Sequence, residues 1–239
     1  MSILNRTIVA FAVVIMKLTI CAATENGRVP KEPRPPYPYY AEEVVFENVK
    51  DGVRLAGTLT IPFSKGPFPA AVLCTGTGPQ DRDETAFGHK PFRLLADYLT
   101  RLGIAVLRVD DRGVGNSTGS FSEATSEDFA SDALAGIKYL KTRKEIAPEK
   151  IGLLGHSEGG LIAPIVAAQS NDVAFVVMMA GPGLKGEQVV IGAGGIESEA
   201  EWIDDELLAQ NRDAQERILT IIKQEKDPGV GRDKNSERS

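Results

Sequence analysis

Two serines of this chain stand in the pentad glycine-x-serine-x-glycine. Ser157 lies in Gly155-His156-Ser157-Glu158-Gly159 and Ser117 in Gly115-Asn116-Ser117-Thr118-Gly119. A serine so framed can attack an acyl carbonyl if it sits on a sharp turn from a strand into a helix. Composition alone makes the match weak: with 24 glycines in 239 residues, chance supplies about 0.1 such pentads. Context separates the two. The turn strains the serine backbone and crowds its neighbours, so the flanking residues must lack a Cβ. Ser157 follows Ile151-Gly152-Leu153-Leu154 and precedes Gly160-Leu161-Ile162-Ala163, a strand pattern leading in and a helix pattern leading out. Ser117 runs instead into the polar Ser120-Phe121-Ser122-Glu123 and reads as a loop residue.

The partners that such a nucleophile needs are scarce. The sequence holds two histidines, His89 and His156. His156 adjoins Ser157, but side chains adjacent on this turn point different ways, so packing beside the turn is its ordinary role. His89 reads as a loop-ordering residue, the alternative being a base recruited from across the pocket. Asp110 and Asp111 with Arg112 read as a hydrogen-bonded loop brace. Cys21 and Cys74 supply no metal-ligand spacing, and Gly76-x-Gly78 lacks the rest of a phosphate loop, so neither metal nor cofactor is expected. A net charge of −6 without a basic cluster argues against nucleic-acid partners.

The elements that must position Ser157 follow from hydrophobic periodicity. Val44-Val45-Phe46 and Leu55–Ile61 read as two strands joined at Asp51-Gly52. Ala70–Cys74, Ile104–Val109, Ile151–Leu154 and Val173–Met179 read as further strands. Phe92–Leu102, a stretch from Phe129 to Leu140 with Ser126 as N-cap, and Leu161–Ala168 read as helices. Alternation of this kind predicts an α/β fold, a mainly parallel sheet with helices on both faces and the first two strands as an antiparallel edge.

With Thr75-Gly76-Thr77-Gly78, Asp111-Arg112-Gly113-Val114-Gly115-Asn116-Ser117 and the Ser157 pentad in this order, residues 42–183 resemble the α/β-hydrolase superfamily. The loop Gly76-Thr77-Gly78-Pro79-Gln80-Asp81-Arg82-Asp83 resembles that of exported bacterial serine esterases. The resemblance implies Ser157 as nucleophile and an oxyanion hole of the Thr77 and Glu158 backbone N–H groups. Gly155, His156 and Gly159 would complete the nucleophile elbow. It implies hydrolysis of a small acyl ester through an acyl-enzyme. The alternatives are an aminopeptidase or prolyl-oligopeptidase-like peptidase, or a non-catalytic binding protein that keeps the fold. In this fold the acid and then the histidine follow the nucleophile, yet no histidine follows His156. Residues 184–239 turn helical at Ile203 and resemble the start of a cap, which makes Asp204, Asp205 and Asp213 poor acids. The expectation is a fold truncated within the cap and a chain that lacks its acid and base.

At the N-terminus, Arg6 precedes the ten uncharged residues Thr7–Met16, too few for a span of about 20. With Ala22 and Ala23 they predict a signal peptide over residues 1–23 and export to the periplasm or beyond. A buried helix and lipidation at Cys21 are the alternatives. Residues 24–41 form a leader with five prolines in Pro30–Tyr40, stiff and extended.

Overall fold

The computed structural model describes residues 32–183 together with Asp213, Arg217 and Thr220. Strand β1 (Tyr39–Asn48) pairs antiparallel with β2 (Val53–Pro62) in a register running from Tyr39 opposite Pro62 to Asn48 opposite Val53. Gly52, at φ +66°, makes the turn between them. Four more strands follow: β3 (Phe68–Cys74), β4 (Ala105–Val109), β5 (Ile146–His156) and β6 (Val176–Met179). The sheet order is β1-β2-β4-β3-β5-β6; β2 meets β4 antiparallel, and β4, β3, β5 and β6 are mutually parallel. The antiparallel edge and parallel body therefore match the pattern in the sequence.

Within the described residues 32–183, three helices cover the two faces: α1 (Pro91–Arg101), α2 (Ser126–Lys141) and α3 (Gly159–Gln169). Ala71, Leu73, Val106 and Leu154 of the sheet share a core with Phe92 and Ala96 of α1. Val72, Leu107 and Leu153, on alternate positions of the same strands, pack with Ile137 and Leu140 of α2 and Ile162 and Val166 of α3. Burial on both faces explains why these strands read as unbroken apolar runs. In β1, an edge strand, Val44 and Phe46 point inward while Val45 is exposed, the alternation of a strand with one solvated face.

Against the sequence reading, β1 already starts at Tyr39, inside the expected leader, β5 starts earlier, at Ile146, and β6 later, at Val176; two side-chain arrangements differ as well. Thr125, not Ser126, caps α2: its side chain accepts from the Asp128 N–H while the Asp128 carboxylate accepts from the Thr125 N–H. The Ser126 hydroxyl is thereby left to donate to Glu158 Oε1 at 2.8 Å. Arg112 does not brace its neighbouring aspartates. It donates to both carboxylate oxygens of Asp132 (2.7 and 2.8 Å), to Asp51 (2.8 Å) and to the Asp128 carbonyl (2.9 Å). One guanidinium thus ties the β1–β2 turn and α2 to the loop after β4.

The residues from Ile203 onward lie outside the described residues, Asp204 and Asp205 among them, except for three helical positions. Of these, Asp213 and Arg217 form an exposed ion pair at 2.7 Å.

Arg112→Ala should cost about 1–3 kcal/mol at neutral pH, because it strands the half-buried Asp132 and Asp51 carboxylates. The hydrogen bond from Arg112 holds the Asp51 carboxyl below its ordinary range. A depressed carboxyl stabilises above its unfolded value and loses that contribution as pH falls through its folded value. The gap between wild type and variant in urea denaturation should therefore narrow below about pH 4. A gap that is constant or widens in acid would contradict this network.

Candidate active site

Strand β5 runs to His156, and α3 begins at Gly159, so two residues make the turn. Ser157 sits there at φ +53°, a left-handed conformation that costs a side-chain-bearing residue about 1–3 kcal/mol. Its N–H donates to the Met179 carbonyl of β6 at 3.0 Å, which anchors the turn to the neighbouring strand. A Cβ on Gly155 would lie 1.9 Å from the Gly159 carbonyl oxygen, and one on Gly159 would lie 2.1 Å from the Cys74 carbonyl oxygen. Both contacts are with backbone and cannot yield. The glycines of the Ser157 pentad are thus required by packing, as the sequence argument demands.

Ser117 is different in kind. It is buried, and its Oγ accepts from the Ala56 N–H of β2 at 2.9 Å and donates to the Asp110 carbonyl at 2.8 Å. Its hydroxyl is consumed in fastening the loop after β4 to the sheet.

Facing Ser157 is the loop after β3, held at three points by carboxylates. Asp111 accepts from the Thr75 hydroxyl (2.7 Å) and the Gln80 N–H (2.9 Å). Burial pushes its carboxyl up to about 7, against these two bonds. Asp110 accepts from the Arg82 N–H and from the guanidinium at 2.7–3.0 Å. Burial opposes its ionisation, but the Arg82 contacts win and hold it below the ordinary range. Glu84, buried and at φ +52°, accepts the Gly76 N–H on Oε1 at 2.7 Å. The same oxygen stands 2.8 Å from His156 Nδ1. This bond raises the imidazole pKa above its ordinary value, with burial opposing.

The Thr77 and Glu158 N–H groups, by contrast, donate to no acceptor among the described residues. Glu158 is the N-cap of α3 without a side-chain capping bond, so the positive end of the helix is open beside Ser157. Its carboxylate is turned aside by the Ser126 hydroxyl. His89 lies in a tight turn, exchanging backbone bonds with Ala86, and among the described residues no hydrogen bond joins it to Ser157. The Cys74 thiol, fully buried at the end of β3, is pushed up to about 12 by burial and is chemically quiet. Among the described residues no group of three or more metal-binding side chains converges. A cleft of about 440 Å³ bordered by Tyr40, Phe68 and Lys144 sits at the start of β3, the wrong end of a parallel sheet for chemistry.

Sequence reasoning missed Glu84, which carries no motif, and the contact between Ser126 and Glu158. It also left His156 without a partner.

A family model described as serine aminopeptidase, S33, matches residues 90–226, more than half of the chain. The chain belongs to this family of serine hydrolases. The esterase EstD of Thermotoga maritima is 34% identical over 192 residues, covering 80% of this chain and 44% of that protein. The putative hydrolase YtaP of Bacillus subtilis is 30% identical over 133 residues, 48% of this chain and 44% of its own length. The chain spans less than half the length of these two curated relatives. The hypothetical protein PA2218 from Pseudomonas aeruginosa superposes with a TM-score of 0.57 at 21% identity, over 83% of this chain and 59% of that one. The Pyrococcus furiosus esterase Pf2001 gives 0.53 at 23%, over 80% and 66%. These structures share the α/β-hydrolase fold with this family member.

Stability should separate the two serines. Ser117→Ala leaves the buried Ala56 N–H without an acceptor and should cost about 1–3 kcal/mol, whereas Ser157→Ala should change thermal stability little. Gly159→Ala should cost about 3 kcal/mol or prevent folding. Gly88→Ala, in open space at φ +80°, should cost only about 1–2 kcal/mol. Equal losses for Gly159→Ala and Gly88→Ala would refute the packing of the turn.

Proposed function

We propose that Ser157 is the nucleophile of a carboxylic-ester hydrolase acting through an acyl-enzyme. The observation that carries this reading is the left-handed Ser157 between β5 and α3, beside two backbone N–H groups that find no acceptor among the described residues. Ser157 Oγ would attack the ester carbonyl, and the oxyanion formed would accept from the Thr77 and Glu158 N–H groups. Each such donor supplies about 3–4 kcal/mol to the transition state. Collapse expels the alcohol; water then attacks the acyl-serine through the same oxyanion geometry. The names of the Thermotoga and Pyrococcus relatives favour an ester, and the family description keeps an aminoacyl amide as the second reading.

The serine proton needs an acceptor, and neither histidine of the sequence is bonded to Ser157. The acid and base that the family's chemistry requires are not identified in this chain. Triad deletions lose about 10⁴–10⁶ in turnover, so steady-state hydrolysis of p-nitrophenyl butyrate should stay near background. A fluorophosphonate should still label Ser157 slowly, and added imidazole, supplying the base from solution, should accelerate labelling. Ser157→Ala should abolish it. Label on Ser117, or none on Ser157 with imidazole present, would overturn the assignment. Faster acylation by an aminoacyl-nitroanilide than by the ester would favour the peptidase reading. Robust turnover abolished by His89→Ala would make His89 the base.

Export belongs to the same proposal and rests on Arg6 and the apolar run Thr7–Met16. Among the described residues no helix is long and apolar enough to cross a membrane. Intact-mass analysis of protein secreted by a bacterial host should show loss of residues 1–23; cytoplasmic protein retaining Met1 would contradict it, and a diacylglycerol adduct on Cys21 would indicate an anchor instead.

A further inference from the structure

We propose that Glu84 is a positioning residue that clamps the oxyanion loop to the nucleophile elbow. It does so by accepting the Gly76 N–H and the His156 ring N–H on a single carboxylate oxygen. The inference rests on Ser157 as nucleophile and Thr77 as oxyanion donor.

Gly76 is the last position before Thr77, and it is pressed from three sides. A Cβ built on it would lie 3.1 Å from Glu84 Oε1, 3.3 Å from Ser157 Cβ and 3.5 Å from His156 Nδ1. The loop therefore touches the nucleophile's own residue and the residue before it. What fixes that approach is one oxygen, 2.7 Å from the Gly76 nitrogen and 2.8 Å from the imidazole nitrogen. Because this oxygen already accepts from Gly76, it offers a second lone pair to the ring, and Nδ1 is the donor. The two bonds join two chain segments that are far apart in sequence and must keep a fixed spacing for the oxyanion to meet both amides.

Glu84 is shaped for this task. Its backbone is left-handed, at φ +52°, a conformation that a non-glycine residue holds only when its surroundings over-determine it. The Glu84 N–H donates to the Asp81 carbonyl at 2.9 Å, closing a turn that directs the side chain inward. The carboxylate is 4% exposed and makes an ion pair with His156 when the ring is protonated. A carboxylate this deep is retained only where its lone pairs are used. Capture of the Gly76 N–H also divides the labour between adjacent amides: Gly76 is committed to the clamp, and Thr77 is free for substrate.

Three readouts test the clamp on the full chain. In wild type, the Gly76 amide should exchange with solvent at least about tenfold more slowly than the amides of Thr77 and Glu158, which have no acceptor among the described residues. The Cε1–H resonance of His156, distinguished from that of His89 by a His89→Gln variant, should titrate above the free imidazole value of about 6.5. In Glu84→Gln its midpoint should fall, since burial then acts unopposed. With imidazole present, fluorophosphonate labelling of Ser157 should slow about tenfold in Glu84→Gln and about a hundredfold in Glu84→Ala, the scale of a misplaced reacting group.

If wild-type Ser157 labels, but Glu84→Gln labels equally fast or leaves the His156 titration unmoved, the clamp is overturned and the hydrolase reading stands. If wild-type Ser157 fails to label, the hydrolase reading falls, and exchange and titration alone decide the clamp. Should Glu84→Gln fail to fold, wild-type exchange decides it: a Gly76 amide as labile as that of Thr77 overturns the proposal.

Discussion

Everything at this site depends on one backbone conformation, the left-handed Ser157 between a parallel strand and a helix. The sheet supplies the force that keeps it there. β5 is buried between β3 and β6, α3 packs back across the same face, and the Ser157 N–H is tied to β6. The strain of about 1–3 kcal/mol at one residue is small beside the burial of residues such as Ile151, Leu153, Ile162 and Val166, each worth about 1.5–3 kcal/mol. The elbow is a local loss that the core sustains, and glycine at 155 and 159 is the steric condition for it.

The loop opposite the elbow has no comparable core beneath it. It is held by polar contacts, three carboxylates from Glu84, Asp110 and Asp111 that bind backbone N–H groups or the side chains of Thr75 and Arg82. Hydrogen bonds to a carboxylate are stronger than neutral ones and have definite direction, which suits a loop whose amides, in the proposed reaction, point at a developing charge. Burial resists ionisation of Asp111, and the two donors it faces counter that resistance. Rigidity of the loop is therefore electrostatic, while rigidity of the elbow is steric.

The fold was largely legible because the runs that make β2 to β5 are covered on both faces. Leu107 and Leu153 serve one core while Val106 and Leu154 serve the other, and an unbroken apolar run bounded by glycine leaves few alternatives. The turn at Ser157 was legible from its glycines, since a Cβ at 155 or 159 would come within about 2 Å of a backbone oxygen. What escaped was polar and distant in sequence. Glu84 meets Gly76 and His156 through folding alone, and nothing in the acidic stretch Asp81–Glu84 distinguishes it. Arg112 shows the same limit: its neighbours Asp110 and Asp111 suggested a local brace, but its partners are Asp51 and Asp132. The N-cap of α2 falls one residue before the expected Ser126, because Thr125 and Ser126 are both good caps and only the reciprocal bond with Asp128 decides between them.

The most direct measurement of the account is a crystal structure of the protein after phosphonylation. Phosphorus should lie on Ser157 Oγ and a phosphonyl oxygen about 2.7–3.1 Å from both the Thr77 and Glu158 nitrogens, with the Gly76 N–H still on Glu84. A phosphonyl oxygen directed to solvent, or one bound by a Gly76 amide released from Glu84, would contradict it.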